Sequence, residues 1–178
     1  MDGNTQYNAI HILRHVIGPI QNSRSNAIGV ICFTDVDLYT NDLSSFCFGY
    51  GIPSLGGVQS LHRFMPEWTD EEYESKSEFR SWLLNRIIKI ATHEIGHMYG
   101  LGHCIYYECL MMGTNNLDQT DRNPITFCPI CYRKLWKVLK FDHLKRYEKL
   151  ITCSKKFGTA FNDPQEWEKD ERSVTEWF

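Results

Sequence analysis

The stretch His93-Glu94-Ile95-Gly96-His97-Met98-Tyr99-Gly100-Leu101-Gly102-His103 constrains this 178-residue chain more than any other. Two histidines four positions apart on a helix share one face, one turn apart, and can grip one metal ion. Glu94 projects about 100° around the helix from His93, so it reaches a water on that metal without ligating the metal itself; it is the candidate general base. Gly100 permits the left-handed exit that turns the chain back. His103 then supplies a third nitrogen and leaves a fourth tetrahedral position open, the mark of a catalytic zinc. Five fixed positions coincide by chance on the order of once per ten million starting points.

The helix this motif needs is present in the pattern. Two capping-box signals, Thr69 with Glu72 and Ser75 with Glu78, precede Phe79, Leu83, Ile87, Ile90, Ala91 and Met98 at helical spacing, predicting one long helix from Ser75 to Tyr99. Ahead of it, Ala9, Ile12, Leu13, Val16 and Ile17 predict a helix over Thr5–Ile17 that Gly18-Pro19 stops. The apolar, β-branched run Ile28–Phe33 suits a central strand. Phe46 to Phe64 suits two short strands around a turn region at Gly49–Gly57, with Val58–Phe64 the second strand and a candidate sheet edge for an extended substrate. Residues 113–124 read as a loop, and two helices follow, one from Pro129 and one over Asp142–Lys156. The tail beyond 158 has no pattern.

Four of the seven cysteines fall in two pairs, Cys104-x4-Cys109 and Cys128-x2-Cys131. Paired thiolates suit a closed tetrahedral zinc without an open position, hence a structural one; the bland alternative is a set of reduced buried thiols. Cys32, Cys47 and Cys153 read as ordinary thiols. Because Cys104 abuts His103, loss of the cysteine-bound zinc should loosen the third histidine. Asp35 and Asp37 read as turn caps, and His11, His15, His62 and His143 lack matching partners. Tyr99, Tyr106 and Tyr107, near the motif, receive no role.

Composition narrows the partners. The formal charge of -3 includes no basic block, which argues against nucleic acid. No apolar run approaches the roughly 20 residues of a membrane helix. The polar first residues carry no secretory pattern, so the expectation is an intracellular protein, cytoplasmic with the nucleus as a second location, and not secreted.

Read whole, His-Glu-x-x-His-x-x-Gly-x-x-His resembles the metzincin signature of zinc peptidases. With the cysteines, HEIGHMYGLGHCIYYECLMMG and CPICYRKL resemble the archaemetzincin family, as do Thr34–Tyr39 and the central FGYG turn; the resemblance spans Gln6 to about Ile151. It implies an α+β (α/β-like) metzincin-type zincin with a small twisted mixed sheet, a long active-site helix and a C-terminal helical part. The peptidase domain would occupy residues 1–158 and a loose tail 159–178. It further implies a catalytic zinc on His93, His97 and His103, Glu94 as base, and a structural zinc on Cys104, Cys109, Cys128 and Cys131, two zinc ions per chain. Met111 matches the methionine of the turn beneath the zinc, with Met112 adjacent. The implied activity is hydrolysis of peptide bonds, as an aminopeptidase on short peptides, with a peptide substrate as partner and neither nucleic acid nor membrane. Family domains begin with a strand and helix ahead of the segment matching Ile28–Phe33, whereas this sequence opens on a helix. The rival expectation is therefore a shortened, catalytically weak or inactive zinc-stabilised interaction module.

Overall fold

Asn8 decides where the first helix starts. In the computed structural model, which describes residues 5–41, 45–68 and 72–158, its side chain accepts the His11 N–H at 3.0 Å and caps α1 (Ala9–Ile12). The residues before it form a strand, β1 (Gln6–Asn8), which the helical reading of Thr5 onward misses. The helical path then runs through a wide π turn (Leu13–Ile17) into α2 (Gly18–Ser23), past the Gly18-Pro19 stop expected from sequence. The wide turn closes with the Gly18 N–H on the Leu13 carbonyl, so Pro19 falls in a first turn, where no donor is demanded of it.

Four further strands follow: β2 (Ile31–Thr34), β3 (Asp37–Tyr39), β4 (Gly49–Ile52) and β5 (Gly56–Ser60). β1 pairs parallel with β3. The main sheet is mixed and ordered β2-β5-β4, β5 being parallel to β2 and antiparallel to β4. This corrects the sequence reading, which puts Ile28–Phe33 at the centre and Val58–Phe64 at the edge. β2 is an edge strand and leaves Phe33 half exposed, while all five residues of β5 are buried. The glycine-rich, partly polar sequence of β5 carries no apolar signature; helices on both faces impose its burial. Much of the expected turn region is strand as well, with the turn confined to 53–55.

On one face of the sheet Val58 packs with Ala9, Leu13, Ile17 and Leu38. The other face carries α3 (Lys76–Met98), whose Ile90 meets Phe48 and Phe64. Ser75 caps α3 by accepting the Glu78 N–H at 3.2 Å, and the Glu78 carboxylate accepts the Glu74 N–H at 2.7 Å. The helix ends where the sequence predicts. Gly100 adopts φ 83°, its N–H bonds the His97 carbonyl, and the Leu101 N–H bonds the Gly96 carbonyl, a Schellman closure.

Within the expected loop at 113–124 lies α4 (Leu117–Arg122), six residues capped by Asn116, too short to show a period. α5 (Pro129–Leu139) and α6 (His143–Phe157) follow the prediction closely and pack around Ile125, Tyr132 and Tyr147. The architecture is α+β with small sheets. No described helix is long and apolar enough to cross a membrane. The tail from 159 and the Thr69 capping signal lie outside the described residues.

Candidate metal centres

His93, His97 and His103 converge: one ring nitrogen from each lies within 4.8 Å of the others. The first two come from α3, one turn apart, and the third from the loop that Gly100 turns back. Main-chain carbonyls orient the helical pair. His93 Nδ1 faces the Leu110 carbonyl at 2.8 Å, and His97 Nδ1 faces the Leu101 carbonyl at 2.7 Å. A carbonyl only accepts, so both Nδ1 atoms carry the proton and both Nε2 atoms present lone pairs. Those two Nε2 atoms lie 2.9 Å apart. Burial holds the His93 ring neutral, pushing its pKa down to about 4, and lowers that of His97 as well. Two lone pairs facing each other at that distance call for a cation between them. Tetrahedral zinc with bonds of about 2.0–2.1 Å separates its nitrogens by about 3.3 Å, a small adjustment away.

Glu94 lies beside this cluster, 6% exposed, where its carboxylate accepts the Gly51 N–H. Burial pushes its pKa up to about 8 against the favourable hydrogen bond. The strand above comes unusually close. A methyl group on Gly49 would sit 2.8 Å from Glu94 Cγ, and one on Gly51 only 2.3 Å from the Glu94 carbonyl oxygen, so both positions of β4 facing α3 must be glycine. An open cleft of about 710 Å³ runs between β4 and α3, walled by Gly49, Gly51, Lys89, Glu94 and the three histidines. The edge above the site is therefore β4 rather than Val58–Phe64.

The four cysteines form a second cluster, with all four sulfurs within 4.8 Å of one another. Cys104 and Cys128 Sγ are 3.8 Å apart. Tetrahedral zinc with sulfur bonds of about 2.3 Å sets that separation at about 3.8 Å. Backbone N–H groups already point at the sulfurs as they would at thiolates. Met111 and Cys128 donate to Cys109 at 3.4 and 3.2 Å, and Cys131 donates to Cys128 at 3.5 Å. Burial raises the Cys104 pKa, but N–H bonds from Tyr106 and Tyr107 together with the Cys128 and Cys131 thiols outweigh it and the net direction is down. Burial pushes Cys109 up to about 11. The donor sets of both clusters thus fit zinc.

Met111 is fully buried and packs on Gly96 beneath the histidine pair, whereas Met112 lines the cleft, which agrees with the register expected for Met111. Asp37 is no surface cap: it is buried in β3, braced by Arg63 through two bonds of 2.9 and 2.7 Å and by Gln6. The His11 and His15 rings lie 4.3 Å apart, tilted by 38°, and His143 bonds Tyr132 at 2.9 Å. Tyr99 donates to the Ile28 carbonyl, outside the cleft. Sequence reasoning missed Gly49, Gly51, Lys89 and the cleft-facing Cys47. Of these, only Lys89 carried a readable signal, since it precedes His93 by four residues and shares its helix face.

A helix-borne histidine cluster with a buried carboxylate beneath a sheet edge, backed by a four-cysteine cluster, defines a protein with two candidate zinc centres. Comparison places it further. Residues 8–137 match the model of Peptidase family M54. Archaemetzincin-2 of Rattus norvegicus is 35% identical over 83% of this chain and 47% of its own length. Archaemetzincin of Pyrococcus furiosus is 36% identical over 72% and 66%. The crystal structure of a zinc-dependent peptidase from Methanocorpusculum labreanum superposes with a TM-score of 0.61 at 30% identity, covering 76% of this chain and 77% of that one. The chain belongs to peptidase family M54. It spans about half the length of the curated mammalian archaemetzincin-2 proteins it matches.

Proposed function

We propose that this chain is a metzincin-type zinc metallopeptidase that hydrolyses peptide bonds, acting as an aminopeptidase on short peptides. One zinc would be held by His93, His97 and His103, and a second, structural one by Cys104, Cys109, Cys128 and Cys131. The observation that carries the reading is the placement of the buried Glu94 carboxylate beside three converging imidazoles, under the free edge of β4. Family membership and the name of the M. labreanum neighbour support it. Zinc at the histidines supplies a Lewis acid that acidifies water and polarises a carbonyl.

The chain's own groups do the rest. β4 aligns an extended peptide by main-chain pairing, which fixes the scissile carbonyl without regard to sequence. Glu94 takes a proton from the attacking water and returns it to the leaving amine; a pKa moved toward neutrality by burial suits both transfers. The Gly51 N–H keeps the carboxylate aimed. The reading includes an intracellular site of action, in keeping with seven unpaired cysteines.

The test is Glu94→Gln in zinc-loaded protein. It should retain zinc, because Glu94 is not a ligand, and lose peptide hydrolysis by at least about a hundredfold. Undiminished turnover in the variant would sink the mechanism, whereas no hydrolysis by the zinc-loaded wild type would leave a zinc-stabilised interaction module as the better account.

A further inference from the structure

Lys89 is a charged side chain in the cleft that the mechanism above does not use. It sits on α3 one turn before His93, on the same helix face, and about 6 Å back along the axis. Its side chain helps wall the cleft, yet the residue is only 8% exposed. Its ammonium donates to the Asp121 carbonyl at 2.8 Å and the Thr120 carbonyl at 3.3 Å. Both acceptors are neutral main-chain groups at the end of α4. The nearby Asp121 carboxylate is already bound by Arg86 through two bonds of 3.0 and 2.8 Å. An ammonium has three donors; these two carbonyls take two of them without adding charge, and the through-space pull of the Asp121 carboxylate is opposed by the Arg86 guanidinium that already binds it. A buried cation in that position is best completed by a carboxylate, through a charge-assisted hydrogen bond.

The strand direction says where on a substrate that carboxylate lies. β4 follows Phe48, which packs on Ile90, and runs to Gly51, which abuts Glu94; it therefore travels from the Lys89 end of the site toward the His97 end. A peptide paired antiparallel with its free edge runs the opposite way. Its C-terminal side then passes Lys89, one or two residues beyond the scissile bond at about 3.3 Å per residue.

We propose that Lys89 is a specificity-determining residue that recognises a carboxylate on the leaving-amine side of the substrate. The carboxylate comes either from an acidic side chain or from the free C-terminus of a short peptide. This rests on the peptidase reading of the same site.

The experiment uses the zinc-loaded full chain and matched peptides: Leu-Glu-Ala against Leu-Gln-Ala, and Leu-Ala-Ala with a free against an amidated C-terminus. The wild type should favour the carboxylate member of at least one pair by roughly tenfold or more in kcat/KM, mainly through KM. Lys89→Met, or Lys89→Gln should the first variant fold poorly, should bring that ratio close to one. Preference in the first pair alone identifies a side-chain source, and in the second alone a terminal one; either supports the proposal. Damage to the fold slows both members of a pair and leaves their ratio unchanged. A wild-type ratio of one in both pairs overturns the proposal without any variant, as does a ratio that survives both substitutions. If no peptide is cleaved, calorimetric binding of the same peptides decides separately. A Lys89-dependent preference upholds the subsite while the peptidase reading falls, and no preference overturns the subsite too.

Discussion

Replacing Gly51 by alanine tests whether the close seat of β4 on α3 builds the candidate site. The added methyl carbon would lie 2.3 Å from the Glu94 carbonyl oxygen, 3.1 Å from its carbonyl carbon and 3.3 Å from its Cα. Ordinary contact begins near 3.4 Å, so strand and helix must part by about 1 Å. Both sides of the clash are main chain, which cannot swing aside as a flexible side chain would. Overpacking typically costs about 1–3 kcal/mol, and this geometry belongs at the upper end. At roughly 2–4 °C per kcal/mol for a chain of this size, the melting temperature should fall by about 6–12 °C. The same displacement withdraws the Gly51 N–H from the Glu94 carboxylate, and a misplacement of about 1 Å in a catalytic constellation costs on the order of a hundredfold in rate. Thermal melts and peptide turnover of Gly51→Ala, beside Gly102→Ala as control, measure both effects. Gly102 has open space where its methyl would go and should melt like the wild type. A Gly51→Ala protein that melts within about 2 °C of wild type and turns over normally would refute the claim that this contact positions Glu94.

Two further outcomes follow from the metal centres. In the zinc-free protein, in which the melts are to be run, burial disfavours the charged form of His93 and pushes its pKa down to about 4 from an ordinary 6.5, so between those limits the unfolded chain binds the extra proton. Its contribution to stability is intact above pH 6.5 and is lost as pH falls toward 4, by on the order of 3 kcal/mol. Denaturant melts across that window should slope less steeply for His93→Asn than for wild type, and equal slopes would contradict the assignment. Cys128→Ser should lower the melting temperature and remove about one zinc equivalent by elemental analysis, because it deletes one of the four clustered sulfurs while a serine hydroxyl can still cap α5. Unchanged melting and zinc content would leave the cysteines as simple buried thiols.

What the sequence disclosed and what it hid divide along physical lines. The α3 boundaries, the Gly100 exit, Pro129 opening α5 and the convergence of the three histidines rest on short-range geometry, which a local pattern specifies; the meeting of the two cysteine pairs is long-range, and their shared thiolate chemistry announced it. The order of the sheet has neither signal. β5 is central because α1 and the π turn after it cover one face and α3 the other, and nothing within Gly56–Ser60 reports those neighbours. The short α4 depends on one asparagine cap, and the passage of α2 through Pro19 depends on a wide turn that periodicity cannot register. The roles of Gly49 and Gly51 stayed hidden for the same reason: a glycine required by close approach looks like a turn glycine until the helix beside it is seen.

The two metal clusters are coupled more tightly than the adjacency of His103 and Cys104 suggests. The Leu110 carbonyl that orients His93 belongs to the residue between Cys109 and Met111, where the chain turns through a 3.0 Å bond from the Met112 N–H to the Cys109 carbonyl. The Cys104 N–H in turn bonds the Met111 carbonyl at 2.8 Å, which ties the His103 end of the loop to that turn. Leu101, whose carbonyl orients His97, packs in the same apolar cluster as Cys109, Met111, Cys128 and Cys131. Each imidazole is thus held through a segment that the cysteines organise. A sulfur-bound zinc, contributing nothing to bond cleavage itself, would fix the nitrogen geometry on which the first metal depends.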